Sequence, residues 1–148
     1  YAHATLGHLL ANAVGLAVVG LLLERSSTRL RVHGFVLGTG ATAAAVEFLV
    51  GTAVGPPVAV LGASGAVLAG VGYLLAGNRL SDGVLTRANL GRRGSAALLV
   101  GVAIGVTLLT AGPGVAVVAH FTGFVLGAVA GRLGILGAAD SPDRPSRV

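Results

Sequence analysis

The chain has no cysteine, no lysine and very few charged side chains. Without cysteine it has no disulfide scaffold, no thiol nucleophile and no thiolate metal site. Only 10% of its 148 residues are charged, whereas a soluble domain carries about a quarter, and this argues against an ordinary cytosolic domain. Intrinsic disorder is excluded as well, because disordered chains combine low hydrophobicity with high net charge and 54% of this chain is hydrophobic.

The chain does contain a series of apolar runs, each close to the roughly 20 residues that cross a bilayer as a helix. Five runs are predicted to be helical: residues 4–23, 34–54, 58–76, 94–110 and 115–136. Two of the connections contain proline, which a regular helix excludes from its interior. The sequence therefore predicts an all-α, polytopic transmembrane bundle over residues 1–136, followed by a disordered cytoplasmic tail at 137–148.

The charges are distributed unevenly between the ends of these runs. Ten arginines and five acidic residues give a net charge of +5. The arginines lie between the first and second runs, between the third and fourth, and toward the C-terminus, while the other two connections carry no charge. Because arginine-rich loops stay in the cytoplasm, we expect residue 1 outside and the C-terminus inside a prokaryotic cell membrane. The same confinement to short gaps argues against nucleic acid as a partner.

Few polar side chains interrupt the apolar runs, and each is a candidate functional residue because burial in hydrocarbon is costly. Glu47, near the end of the second run, is expected to reach interfacial water, with a gating or substrate-facing role as the alternative. The others lie on the first, third and fifth runs, which cross in the same direction: His3, His8, Asn12, Ser64 and His120. At 1.5 Å per residue, His8, Asn12 and His120 lie roughly 6, 12 and 7 Å below the outer edge of the bilayer.

The third run has an unusual beginning. Gly62-Ala63-Ser64-Gly65 is a poor start for a spanning helix, and the 13 residues of 65–77 give about 20 Å of helix for a core about 30 Å thick. We therefore expect this helix to begin about 10 Å inside the membrane, with Ser64 at its buried start.

Glycines on the fifth run favour a close approach to the third. Gly123, Gly127 and Gly131 recur at four-residue spacing, which gives a smooth face for helix packing. Such packing would bring Ser64 and His120 within hydrogen-bond reach, as a serine nucleophile with a histidine base requires.

Three motifs together resemble the signatures of rhomboid intramembrane serine proteases: His3-x4-His8-x3-Asn12, Gly62-Ala63-Ser64-Gly65 and Ala119-His120-x2-Gly123-x3-Gly127. A lone GxSG would mean little, since it arises by chance in chains rich in glycine, alanine and serine. The resemblance covers about residues 1–136 and implies a six-helix core, of which the first helix is missing before Tyr1. Leu68 stands where family members often carry a tyrosine that stacks on the histidine.

The resemblance also implies a role for each matching residue. Ser64 would be the nucleophile and His120 the general base, while His8 and Asn12 would form the oxyanion hole with the Ser64 backbone N–H. The remaining motif residues would serve structure and packing: His3, Gly62, Gly65, Gly123 and Gly127. Substrates would be transmembrane segments of other proteins in the bilayer, and no metal or organic cofactor is implied. The oligomeric state is left open.

Other interpretations stay open at this point. A catalytically inactive rhomboid-like protein that binds client transmembrane helices is the alternative, although Ser64 and His120 are both present. A solute or proton pathway would need polar residues in the cytoplasmic halves of the runs, which are apolar. The Ser64 hydroxyl could instead donate a hydrogen bond to a carbonyl oxygen of its own helix, and His8 and Asn12 could form hydrogen bonds between helices. A metal site lacks a completing carboxylate or cysteine, and no GxxxxGK[ST] phosphate loop is present.

Overall fold

The computed structural model describes residues 6–54, 63–77, 83, 91–111 and 115–137. Within these ranges the regular elements are helices, in the order α1 (Leu6–Glu24), α2 (Arg29–Val54), α3 (Ala63–Ala76), α4 (Arg92–Leu109) and α5 (Val117–Arg132). α1 and α2 are long and apolar enough to cross a membrane, and α3 to α5 are shorter apolar helices. The predicted all-α bundle is confirmed. The predicted tail at 137–148 lies outside the described residues, apart from Gly137.

α2 begins earlier than the apolar run suggested, at Arg29 rather than near residue 34. An apolar run marks the part of a helix that contacts hydrocarbon, whereas backbone hydrogen bonding continues into the charged residues before it. The Val32 N–H donates to the Thr28 carbonyl oxygen at 3.1 Å, and the Arg29 Nε lies 3.6 Å from the Glu24 carboxylate across the turn from α1.

α5 ends earlier than predicted, at Arg132 rather than near residue 136. Gly134 has a φ of +63°, a conformation that glycine adopts without steric penalty. The Gly134 N–H donates to Gly131 O at 3.2 Å and the Ile135 N–H to Ala130 O at 3.1 Å. This is the Schellman arrangement that closes a helix, and it folds the next residues back as turns.

α1, α3 and α5 run parallel to one another, and α2 runs antiparallel to α3. Along α1 and α3, Gly15 meets Val67 and Val19 meets Gly70. α2 contacts α3 near both ends of α3. Ala43 lies against Gly65, and the Phe35 and Tyr73 rings form an edge-to-face pair with centroids 5.5 Å apart. α4 packs on the other side, where Ala103 joins a buried cluster with Leu68 and Phe124.

The contact between α3 and α5 is the tightest in the bundle. A side chain at Gly123 would collide with the backbone of Gly65, and one at Gly127 would collide with the backbone of Ala69. The two backbones therefore touch directly at these positions, as small residues allow in membrane helix pairs. The register of this contact fixes which residues of α3 and α5 lie side by side.

Candidate active site

Ser64 lies at the beginning of α3. It is the second residue of a helix of 14 residues, which corresponds to about 21 Å of rise. The prediction that this helix is too short for a bilayer core of about 30 Å is confirmed. The Ser64 side chain is 9% exposed, so the helix start is enclosed by the neighbouring elements.

Ser64 and His120 lie at the same level of the α3–α5 contact. A Cβ placed on Gly65 would lie 3.3 Å from the carbonyl oxygen of Ala119. Ser64 directly precedes Gly65 and His120 directly follows Ala119, so the two residues lie next to the positions where the backbones touch. His120 is also buried, with 5% of its surface exposed. A serine and a histidine that are 56 residues apart in the sequence thus lie at one level of the bundle.

The two nitrogens of the His120 ring have different surroundings. Nδ1 lies 3.0 Å from the hydroxyl oxygen of Thr110, at the end of α4. Nε2 is buried and has no hydrogen-bond partner in the part of the chain that the structure describes. No hydrogen bond between the Ser64 hydroxyl and His120 Nε2 is therefore formed. Contacts between catalytic groups are often long before substrate binds and shorten only in the reacting complex.

The N-terminal part of α1 reaches the same end of the bundle. His8 lies close enough to His120 for the two rings to interact electrostatically. Asn12 follows one turn later on the same face of α1, and both side chains are half-buried. α1 is held against α3 just below, where a Cβ on Gly15 would lie 2.9 Å from Val67 Cγ1. Polar residues of three parallel helices thus lie toward the same end of the bundle.

Glu47 belongs to this region too, contrary to the sequence-based expectation. Its side chain is only 7% exposed, and its Oε2 accepts a hydrogen bond from the Ala119 N–H at 2.7 Å. Ala119 lies in the first turn of α5, where backbone N–H groups lack partners within the helix and negative charge is favoured. The expectation that Glu47 reaches interfacial water is wrong, because the first turn of α5 offers a closer partner. No sequence pattern marks a contact between a side chain and a backbone group 72 residues away.

Replacing Glu47 is expected to destabilise the bundle in a graded way. Glu47→Leu leaves the buried Ala119 N–H without an acceptor, which costs about 1–3 kcal/mol. Glu47→Gln keeps a carbonyl oxygen as the acceptor, so we expect a smaller loss of unfolding free energy. Thermal unfolding in detergent measures both, and equal stability of wild type and Glu47→Leu would show that the contact contributes nothing.

Other predicted residues lie elsewhere or outside the described ranges. His3 and Gly62 are not among the described residues. Leu68 is 8% exposed and packs with Phe124 in a cluster of apolar side chains. Tyr73 lies near the other end of α3, where its hydroxyl accepts a hydrogen bond from the Leu136 N–H at 3.1 Å. In the described part of the chain, histidine and acidic side chains form no group of three or more that could hold a metal ion.

Comparison with known proteins adds the family. The chain matches the family model of the Rhomboid domain over residues 1–136, which includes all five helices and every residue of the three sequence motifs. No curated protein and no solved structure gives a significant match. The match confirms the resemblance stated from the motifs, and together with the apolar helices it indicates a membrane protein. The chain belongs to the rhomboid family.

Proposed function

We propose that this protein is an intramembrane serine endopeptidase that cleaves transmembrane segments of other membrane proteins. The observation that supports the proposal is the α3–α5 contact, at which buried Ser64 and buried His120 lie at the same level. The ring of His120 has one nitrogen engaged by Thr110 and the other free within the described residues. A buried polar atom without a hydrogen-bond partner is costly. A general base must keep a nitrogen free to accept a proton, and this role would explain why Nε2 has no partner.

The chemistry follows that of serine hydrolases. His120 Nε2 accepts the hydroxyl proton as Ser64 Oγ attacks the scissile carbonyl carbon, and a tetrahedral intermediate with a negatively charged oxygen forms. The imidazolium then donates its proton to the leaving amine nitrogen, the C–N bond breaks and an acyl-enzyme remains on Ser64. Water, deprotonated by His120, hydrolyses this ester and regenerates both side chains. None of these steps calls for a metal or an organic cofactor.

His8 and Asn12 are the proposed donors to the oxyanion. His8 lies within electrostatic range of His120, and Asn12 projects from the same face of α1. With the backbone N–H of Ser64 they would stabilise the negative oxygen as it develops, and each such donor is worth about 3 to 4 kcal/mol in other serine hydrolases. Glycines in the three motifs would keep the helices close enough for this arrangement.

The site is proposed to lie in the outer half of a prokaryotic cell membrane, with residue 1 outside and the C-terminus in the cytoplasm. This orientation is supported by the arginines, which favour cytoplasmic loops. Water would reach the polar residues through a cavity open to the outside, and substrate helices would enter from the bilayer and unwind at small residues.

A second candidate is a catalytically inactive rhomboid-like protein that binds client transmembrane helices. The observation that favours it is the absence, among the described residues, of a hydrogen bond between Ser64 and His120 Nε2. Such a protein would use the same end of the bundle to hold a client helix without cleaving it.

Cleavage in liposomes separates the two functions. The purified protein is reconstituted with a reporter whose single transmembrane segment contains small residues near its outer end, and product is followed by gel and mass spectrometry. We expect cleavage by the wild type and by Ser26→Ala, a control at the far end of α1, and none by Ser64→Ala. Reporter that co-purifies equally with wild type and Ser64→Ala, with no cleavage by either, would establish the binding protein instead.

A further inference from the structure

The Thr110 side chain is within hydrogen-bond distance of the His120 ring, with its hydroxyl oxygen 3.0 Å from Nδ1. Thr110 caps the C-terminus of α4, and its hydroxyl oxygen has three polar neighbours. Val106 O lies 2.8 Å away, Thr107 O 3.2 Å away and His120 Nδ1 3.0 Å away. This hydroxyl therefore links the end of α4 to the histidine of α5.

The hydroxyl has a single proton, and the distances favour one position for it. Both carbonyl oxygens can only accept hydrogen bonds. An oxygen–oxygen distance of 2.8 Å is a normal hydrogen bond when a proton lies between the atoms, and two facing lone pairs would repel each other at that separation. Threonine near a helix end commonly donates to the carbonyl one turn back in this way.

With that proton directed to Val106 O, the Thr110 oxygen can only accept in its contact with His120, and this arrangement favours a proton on Nδ1. A neutral imidazole carries one proton, so a proton on Nδ1 leaves Nε2 with a free lone pair. Nε2 is the nitrogen that is buried without a partner in the described structure. The ring in this tautomer therefore has an unprotonated Nε2, which is the form that a general base requires.

We propose that Thr110 is a positioning residue that holds His120 in the Nδ1–H tautomer and fixes the orientation of its ring. This inference rests on the proposed function, since a tautomer matters only if Nε2 accepts the Ser64 proton. In a Ser-His-Asp triad an aspartate holds the tautomer. Here a neutral hydroxyl makes the same type of contact, without placing another charge where charge is costly.

Three threonine variants test the inference. Thr110→Val keeps the shape of the side chain and removes the hydroxyl, so we expect fluorophosphonate labelling of Ser64 to slow about tenfold, as the loss of one hydrogen bond suggests. Thr110→Ser restores the hydroxyl and should recover most of the rate. Thr107→Val is the matched control, because Thr107 lies one turn earlier on the same helix, is 4% exposed and has no hydrogen-bond partner for its hydroxyl within the described residues. Its labelling rate should equal that of the wild type.

Nitrogen NMR of the His120 ring provides a readout that a merely structural role would not change. The signals are assigned by their disappearance in His120→Gln. In the folded wild type at a pH where the ring is neutral, we expect a protonated Nδ1 and an unprotonated Nε2, and in Thr110→Val a shift toward the other tautomer. A wild-type ring protonated on Nε2 would overturn the inference, and this result does not depend on any Thr110 variant folding.

The failure of this inference differs from failure of the proposed function. If Ser64→Ala abolishes labelling while Thr110→Val labels at the wild-type rate, Thr110 has no positioning role and the peptidase proposal stands. If labelling persists in Ser64→Ala, the peptidase proposal fails, and the role of Thr110 fails with it.

Discussion

His120→Ala is expected to slow fluorophosphonate labelling of Ser64 by about 10²–10⁴-fold, the range that a positioned general base contributes. Without the ring, the Ser64 hydroxyl is an ordinary alcohol in an enclosed site and reacts slowly with the probe. The rate is measured in detergent with a fluorescent fluorophosphonate at a fixed pH. The result depends on the closeness of α3 and α5, which brings the two residues to one level.

His33→Ala is the matched control for this loss. His33 is an exposed residue near the beginning of α2, far along that helix from Glu47. Its Nδ1 lies 2.7 Å from the Arg29 carbonyl oxygen. Its removal should leave labelling unchanged. An equal labelling rate in His120→Ala and the wild type would mean that Ser64 reacts, if at all, without a histidine base.

Gly127→Ala is expected to destabilise the bundle by about 1–3 kcal/mol, although alanine is a better helix former than glycine. The added methyl would overlap the backbone of Ala69, and a backbone cannot move aside as a flexible side chain can. α3 and α5 would have to separate or slide. A shift of about 1 Å between catalytic groups can cost 10²-fold in rate, so labelling of Ser64 should fall as well.

Gly38→Ala makes the same change where there is room. Nothing lies within 4 Å of a Cβ placed on Gly38, so the methyl should be neutral or stabilise α2 slightly. Thermal unfolding of both variants in detergent compares the two positions. If Gly127→Ala is as stable as Gly38→Ala, the direct backbone contact between α3 and α5 does not exist.

The sequence predicts the helices well because the bilayer imposes a simple requirement on each span. Long apolar runs must be helical, and the short third run must begin late, as α3 does at Ala63. The boundaries that differ have local causes. α2 extends into charged residues at Arg29, and Gly134 closes α5 before the apolar run ends.

The partners of the candidate site were harder to predict. Glu47 is visible in the sequence as a lone acid in an apolar run, but its partner is the backbone of Ala119, which no side-chain pattern reveals. Thr110 is one of several threonines whose hydroxyls bond to their own helix. Only the packing of α4 against α5 distinguishes it by bringing its hydroxyl to His120. Motif residues thus indicate the chemistry, while the groups that hold them in place depend on tertiary contacts.

Peptide mapping of the fluorophosphonate adduct by mass spectrometry shows whether the enclosed start of α3 carries an activated nucleophile. We predict a single adduct on Ser64 in the wild-type protein and no adduct in Ser64→Ala at the same probe concentration. An adduct on another residue, or equal modification of Ser64→Ala, would contradict the account.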